Sequence, residues 1–160
     1  MKPTSTPQLI LWRHAEAEDG GADSKRKLTA HGQAQARRMA EWLRARLPEG
    51  ARIVSSPAVR AMETAGALTP DFETLAAIAP GHGAAHILAA IGWPDRAGTV
   101  VVVGHQPTLG QLASLLIAGR EADWSVKKGA VWWIAGRARG GGDEGANAIR
   151  AVMSPDLAKS

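Results

Sequence analysis

The chain has 160 residues, a formal net charge of +4 and no cysteine, which is enough length for one hydrophobic core and excludes disulfides, thiolate metal sites and thiol catalysis. The basic residues are dispersed and tyrosine is absent, so we expect no nucleic acid partner. Because the first eight residues lack the apolar stretch of a signal peptide and no apolar run has membrane-spanning length, we expect a single cytoplasmic domain over residues 1–160, with residues 1–7 as a loose lead-in.

The first predicted strand ends in two residues suited to binding an anion. Residues 9–12 (LILW) form a continuous apolar run, which is typical of a strand buried on both faces of a parallel sheet. The run stops at Arg13 and His14, a cation beside a titratable nitrogen. Ligands of open α/β sheets bind outside the carboxyl ends of the strands, so this pair predicts an anion site at that edge.

A charged loop and a long helix follow. Residues 16–27 are charged and contain glycine, which predicts a surface loop over the site. Thr29 has the chemistry of a helix N-cap, and apolar residues then recur at helical spacing until Pro48 and Gly50 end the helix.

A second strand and helix bring a guanidinium to the same edge. Residues 51–55 predict the strand, and Ser56 as N-cap with Pro57 at the first helical position predicts a helix that reaches about Leu68. The start of this helix directs free backbone N–H groups and the side chain of Arg60 towards the site.

The rest of the chain continues the alternation of strands and helices. Residues 71–77 predict a short strand and residues 84–91 a helix; a buried strand at 99–103 then ends near His105, and Pro107 begins a helix that Gly119 ends. Residues 130–135 and 148–152 predict two closing antiparallel strands, joined by a glycine-rich segment that precedes no helix and so predicts no nucleotide site. The fold class is therefore α/β, a three-layer α/β/α sandwich with a mostly parallel sheet and an antiparallel strand.

Four segments, in this order, resemble the histidine phosphatase superfamily, and most closely its small SixA-type phosphohistidine phosphatases. They are RHA at 13–15, LTAHGQ at 28–33, SSPAVRAMETA at 55–65 and VGHQP at 103–107. The resemblance implies a phosphoglycerate-mutase-like fold and assigns His14 as the nucleophile.

The chemistry of these residues fits phosphoryl transfer. Arg13 and Arg60 offer planar forks that match phosphate oxygens, and a neutral imidazole can attack phosphorus and hold it covalently. The two guanidiniums should lower the pKa of His14, while His105 stabilises the transferring oxygens as a donor. No step needs a metal or a cofactor.

Further residues are weaker candidates for the same site. Arg26 stands where relatives often carry an arginine close to the pocket, although it is equally a solvated member of a basic run. Ser55 is a candidate phosphate donor, and Ser56 is more naturally a cap. His82 and His86 form a possible metal pair at helical spacing, but no third ligand is evident.

Two departures from the resembled family concern the general acid. Larger members carry a glutamate after the third strand, whereas residues 75–80 here contain no carboxylate, and many place an asparagine where this chain has Gly20. An alkoxide leaving group needs a proton, whereas the imidazole of phosphohistidine leaves more easily. The missing acid therefore favours a P–N bond as the target, with Glu16 as a possible substitute acid.

We therefore expect a monomeric, metal-independent phosphatase that removes phosphate from a phosphohistidine-bearing domain of a phosphorelay or phosphotransfer system, with phosphate or sulfate as site ligands. The alternatives are a phosphatase for small phosphoesters and a phosphate-binding module without turnover.

Overall fold

The computed structural model describes residues 6–136 and 146–158. In chain order, the elements are β1 (Gln8–Arg13), α1 (Ala30–Arg44), β2 (Arg52–Ser55), α2 (Val59–Leu68), β3 (Glu73–Thr74), α3 (Ala84–Ile91), β4 (Thr99–Gly104), α4 (Thr108–Ala118), β5 (Val131–Ala135) and β6 (Ala148–Met153). Short 3-10 turns lie at Asp23–Lys25 and Ala76–Ile78.

The strands form one sheet in the order β3-β2-β4-β1-β5-β6. β1, β2, β3 and β4 pair in parallel, and β5 is antiparallel to both of its neighbours. The predicted mostly parallel sheet with an antiparallel strand is confirmed, as is the antiparallel pairing of the two closing strands.

Helices cover both faces of the sheet because alternate residues of the central strands point to opposite sides. Leu9 and Leu11 of β1 pack in one cluster with α3 and α4. Ile10 and Trp12 pack in the other cluster with α1 and α2. β1 and β4 are therefore buried on both faces, which explains their continuous apolar sequences and confirms the three-layer sandwich.

The cap of α1 is confirmed, and two other details differ from the prediction. The hydroxyl of Thr29 accepts from the backbone N–H of Gly32 at 2.9 Å. α2 begins at Val59 instead of Pro57, because the Ser56 hydroxyl accepts from the N–H of Ala58 in a tight turn, at 3.1 Å, before the helix starts. The strand predicted at 71–77 is only two residues long, since residues 76–78 form a 3-10 turn.

Parts of two other predictions lie outside the described residues, namely residues 1–5 of the lead-in and residues 137–145 of the glycine-rich segment. Of the lead-in, Pro7 is buried, and its carbonyl accepts from the N–H of Gly136 at 2.6 Å. Within the described ranges, no helix is both long and apolar enough to cross a membrane.

Candidate active site

The carboxyl ends of β1 and β4 bring two histidines together. These strands are neighbours in parallel register, with Arg13 opposite Gly104, so the residues that follow them meet at one edge of the sheet. The rings of His14 and His105 lie 5.1 Å apart between centroids. Both side chains are buried, with exposed fractions of 7% and 5%.

The hydrogen bonds of His14 determine which of its ring nitrogens is free. Nδ1 lies 2.8 Å from the carbonyl oxygen of Ala15, and because a carbonyl can only accept, Nδ1 carries the proton of the neutral ring. Nε2 then holds a lone pair, which faces Nε of Arg60 at 3.4 Å. Burial, followed by the neighbouring guanidiniums of Arg60 and Arg13, outweighs the hydrogen bond to Ala15 and lowers the pKa of His14 to about 4. The ring is neutral at pH 7.

His105 has a different set of neighbours. Its Nε2 lies 2.7 Å from the hydroxyl oxygen of Ser56, and its Nδ1 has no hydrogen-bond partner among the described residues. The backbone N–H of Ser56 donates to the carbonyl of Val103 in β4, at 3.0 Å, which fixes the hydroxyl against the ring. Burial first, and then His14 and Arg60, lowers the pKa of His105 to about 3.

Arg60 is the second residue of α2, and its side chain is only 5% exposed. Its Nη1 donates to the backbone carbonyl of Asp23 at 2.8 Å, and its Nη2 donates to the carboxylate oxygen Oδ2 of Asp23 at 3.2 Å. The guanidinium therefore bridges His14 on one side and Asp23 on the other.

Arg13 is held by an uncharged group. Its Nη1 donates to the backbone carbonyl of Val126 at 2.9 Å. Its Nε is buried and has no acceptor among the described residues, and burial lowers the pKa of the guanidinium. A buried N–H without an acceptor is costly, and a bound oxyanion would satisfy it.

The remaining candidates lie at different distances from the histidines. Arg26 donates to Asp23 Oδ1 through Nε and Nη2, at 3.2 and 3.0 Å, so it joins the site through Asp23. Ser55 is fully buried, and its hydroxyl donates to the carbonyl of Ser56 at 2.8 Å. Glu16 directs its carboxylate to the imidazole of His31, 3.8 Å away.

Two contributors were missed by the sequence analysis, Asp23 and the hydroxyl of Ser56. Asp23 was treated as part of a solvated loop, and its partner Arg60 is 37 residues away in the chain. One signal was available: a buried guanidinium needs a counter-charge, and the loop before Arg26 offers several carboxylates. Nothing in the sequence selects Asp23 among them.

Two glycines allow the loops beside the site to pack closely against helices. A Cβ on Gly32 of α1 would overlap the carbonyl oxygen of Glu16, and a Cβ on Gly110 of α4 would overlap the carbonyl oxygen of Trp124. The first loop carries Asp23 and the second carries Val126. Each loop therefore approaches its helix at a point where only glycine fits.

The possible metal pair has no third ligand among the residues that the structure describes. The rings of His82 and His86 lie 5.0 Å apart. Across residues 6–136 and 146–158, no group of three or more histidine and carboxylate side chains could hold a metal ion.

Comparison with known proteins identifies the family. The model of the histidine phosphatase superfamily (branch 1) matches residues 9–81. The phosphohistidine phosphatase SixA of Escherichia coli K12 is 31% identical over an alignment of 123 positions, and the match covers 70% of this chain and 75% of SixA. The chain belongs to the histidine phosphatase superfamily, whose members are hydrolases that act as phosphatases.

Solved structures agree with this assignment. The structure of the protein histidine phosphatase SixA complexed with tungstate has a TM-score of 0.78 and 27% identity to this chain, and the match covers 95% of this chain and 99% of that one. A phosphoserine phosphatase mutant from Entamoeba histolytica, with a TM-score of 0.70 and 17% identity over 94% and 98% of the two chains, shares the fold.

Proposed function

We propose that the protein is a phosphohistidine phosphatase that works through a phosphohistidine intermediate on His14. The observation that supports this most is the orientation of His14. Its Nδ1 is bound to the carbonyl of Ala15, and its Nε2 faces Arg60 with a free lone pair. The similarity to SixA supports the P–N bond of phosphohistidine as the bond that is cleaved.

In the first step, His14 Nε2 attacks phosphorus and the P–N bond to the substrate imidazole breaks. Three equatorial oxygens carry the charge during transfer, so catalysis depends on positioned donors. The free N–H groups of Arg13 and Arg60 provide them. In the second step, water attacks the phosphorus of phospho-His14 and releases phosphate.

His105 is the third donor of the proposed mechanism. In this mechanism the hydroxyl of Ser56, which accepts from the N–H of Ala58, donates its own hydrogen to His105 Nε2, 2.7 Å away. The proton of the neutral His105 ring is then on Nδ1, the buried nitrogen without a partner among the described residues. A phosphoryl oxygen is a suitable acceptor for it.

The neighbouring carboxylates support a substrate with a good leaving group. Asp23 is held by Arg26 and Arg60, and the hydrogen bond from Arg26 is the main cause that lowers the pKa of Asp23. It is therefore ionised and has no proton to give. Glu16 lies against His31. Because an alkoxide needs a general acid and an imidazole needs less help, phosphohistidine is the preferred substrate.

The proposal includes a partner and a cellular setting. The substrate is a phosphohistidine-bearing domain of a phosphorelay or phosphotransfer system, which a monomeric enzyme meets in the cytoplasm. The guanidiniums supply the positive charge that a magnesium ion supplies in other phosphoryl-transfer sites, so no divalent cation is required.

The test compares leaving groups on one preparation. A phosphorylated histidine protein and an aryl phosphate should be hydrolysed at least about 100-fold faster than an alkyl phosphate, since a general acid contributes roughly 10²–10⁴-fold. The rates with the phosphorylated histidine protein and with the aryl phosphate should be unchanged in the presence of EDTA. Glu16→Gln should leave the aryl phosphate rate unchanged.

The alternatives give different results. A small-molecule phosphatase with an unrecognised acid would hydrolyse alkyl and aryl phosphates at similar rates. A phosphate-binding module would bind phosphate and hydrolyse none of these compounds.

A further inference from the structure

The contacts of Asp23 join Arg60, which faces His14, to Arg26, which does not contact His14. Its Oδ2 and its backbone carbonyl accept from Arg60, and its Oδ1 accepts from Arg26. The contacts use both the backbone and the side chain of one residue. That combination fixes the direction of a guanidinium better than a single ion pair does.

The geometry leaves a particular edge of Arg60 available. A guanidinium has five N–H donors, one on Nε and two on each Nη. Asp23 takes one from Nη1 and one from Nη2. The Nε–H, which faces His14 Nε2, and the second N–H of Nη2 lie parallel on one edge. That edge matches two oxygens of a phosphoryl group on His14.

Charge gives a second reason to assign a role to Asp23. The side chain of Arg60 is 5% exposed, and Asp23 is its one ion-pair partner among the described residues. A buried cation without a counter-charge is destabilised and finds other acceptors. Asp23 itself is 62% exposed, so its own burial does not explain the arrangement.

We propose, on the basis of the function proposed above, that Asp23 is a positioning residue that holds Arg60 with its Nε–Nη2 edge towards the phosphoryl group, and that Arg26 acts by orienting Asp23. Asp23 contacts neither the substrate nor the reacting atoms. Its removal frees the guanidinium to turn away from His14.

The experiment measures steady-state hydrolysis of an aryl phosphate and the affinity for inorganic phosphate by calorimetry. Asp23→Asn keeps the size of the side chain and removes its charge. We expect kcat to fall by between about 10- and 100-fold, the order of loss for a misplaced reacting geometry. Phosphate binding should weaken, and Asp23→Glu should recover part of both.

Asp19→Asn is the matched control, because Asp19 is an exposed carboxylate of the same loop with no hydrogen bond or ion pair to the described residues. Its kinetics should equal those of the wild type. Thermal unfolding of each variant shows whether the fold is retained.

A double-mutant cycle identifies the partner of Asp23. In an Arg60→Ala background, Asp23→Asn should change kcat and phosphate affinity little, since there is no guanidinium left to position. The proposal is overturned if the full loss persists in that background, or if Asp23→Asn binds phosphate more tightly, as it would if the carboxylate competed with phosphate. If the wild type binds phosphate but hydrolyses no substrate, the proposed function is refuted. The double-mutant cycle can then still be measured through phosphate affinity, so the role of Asp23 is tested independently.

Discussion

The ends of β1 and β4 carry the same side chain in two different environments. At the end of β1, His14 is bound through Nδ1 to a backbone carbonyl, and its Nε2 faces a guanidinium. At the end of β4, His105 is bound through Nε2 to a hydroxyl, and its Nδ1 has no partner in the described part of the chain. Both rings are buried and neutral at pH 7.

The difference shows how two identical imidazoles can present different ring atoms to one site. A ring whose Nδ1–H is used by a carbonyl presents a lone pair, which suits a nucleophile. A ring whose Nε2 lone pair is used by a hydroxyl presents an N–H, which suits a donor. In the proposed mechanism, the carbonyl of Ala15 and the hydroxyl of Ser56 make this distinction, since both side chains are histidines.

The largest expected effect on hydrolysis comes from removing the imidazole of His14 at the end of β1. His14→Ala should reduce turnover of an aryl phosphate to background, because the change removes the proposed nucleophile. Brief incubation of the wild type with labelled substrate should leave an acid-labile, base-stable phosphate on His14, detected by peptide mapping. Label at wild-type level in His14→Ala would place the nucleophile elsewhere.

A smaller loss of the rate of hydrolysis is expected from removing the imidazole of His105 at the end of β4. His105→Ala removes the proposed donor to the transferring oxygens and should lower kcat by about 10²–10³-fold, with a smaller change in KM. The phosphate on His14 should still form, more slowly. An equal loss of label formation in the two alanine variants would contradict the division of roles.

The smallest expected effect is the response to mild acid. The pKa values of His14 and His105 are about 4 and about 3, so neither ring should take up a proton between pH 8 and pH 5.5. Nitrogen-15 NMR should show one proton per ring throughout, on Nδ1 in both. A second proton appearing near pH 6.5 on either ring would contradict this.

The same shifts set the pH dependence of stability. Unfolded histidine has a pKa of about 6.5, so below that value the unfolded chain binds more protons than the folded one. The free energy of unfolding should be constant above about pH 6.5 and should fall as the pH drops from there towards about 4. Urea titrations at a series of pH values measure the free energy of unfolding and show whether it falls as the pH drops.

The sequence was sufficient to predict the elements that depend on local patterns. The apolar runs of β1 and β4 and the cap at Thr29 predict the sheet and the first helix, and the parallel arrangement then brings His14 and His105 together. The start of α2 was predicted two residues early, because the Ser56 hydroxyl fits an N-cap equally well but here accepts from the N–H of Ala58 in a turn before the helix.

The contacts that orient the arginines were not predictable in the same way. Val126 contributes a backbone carbonyl, which any residue has. Asp23 contributes a carboxylate in a loop that contains others, and its partner lies 37 residues away. Residue type and spacing carry no information about which of several equivalent acceptors a distant guanidinium will find.

The close approaches at Gly32 and Gly110 have a consequence for how the sequence can vary. These glycines fix the backbone of Glu16 and of Trp124, which belong to the loops that carry Asp23 and Val126. Exposed positions such as Glu18 and Lys128 are then free to change. If the proposed function holds, recognition of a phosphohistidine-bearing partner can therefore diverge through these surface positions while the arrangement of the arginines and histidines is kept.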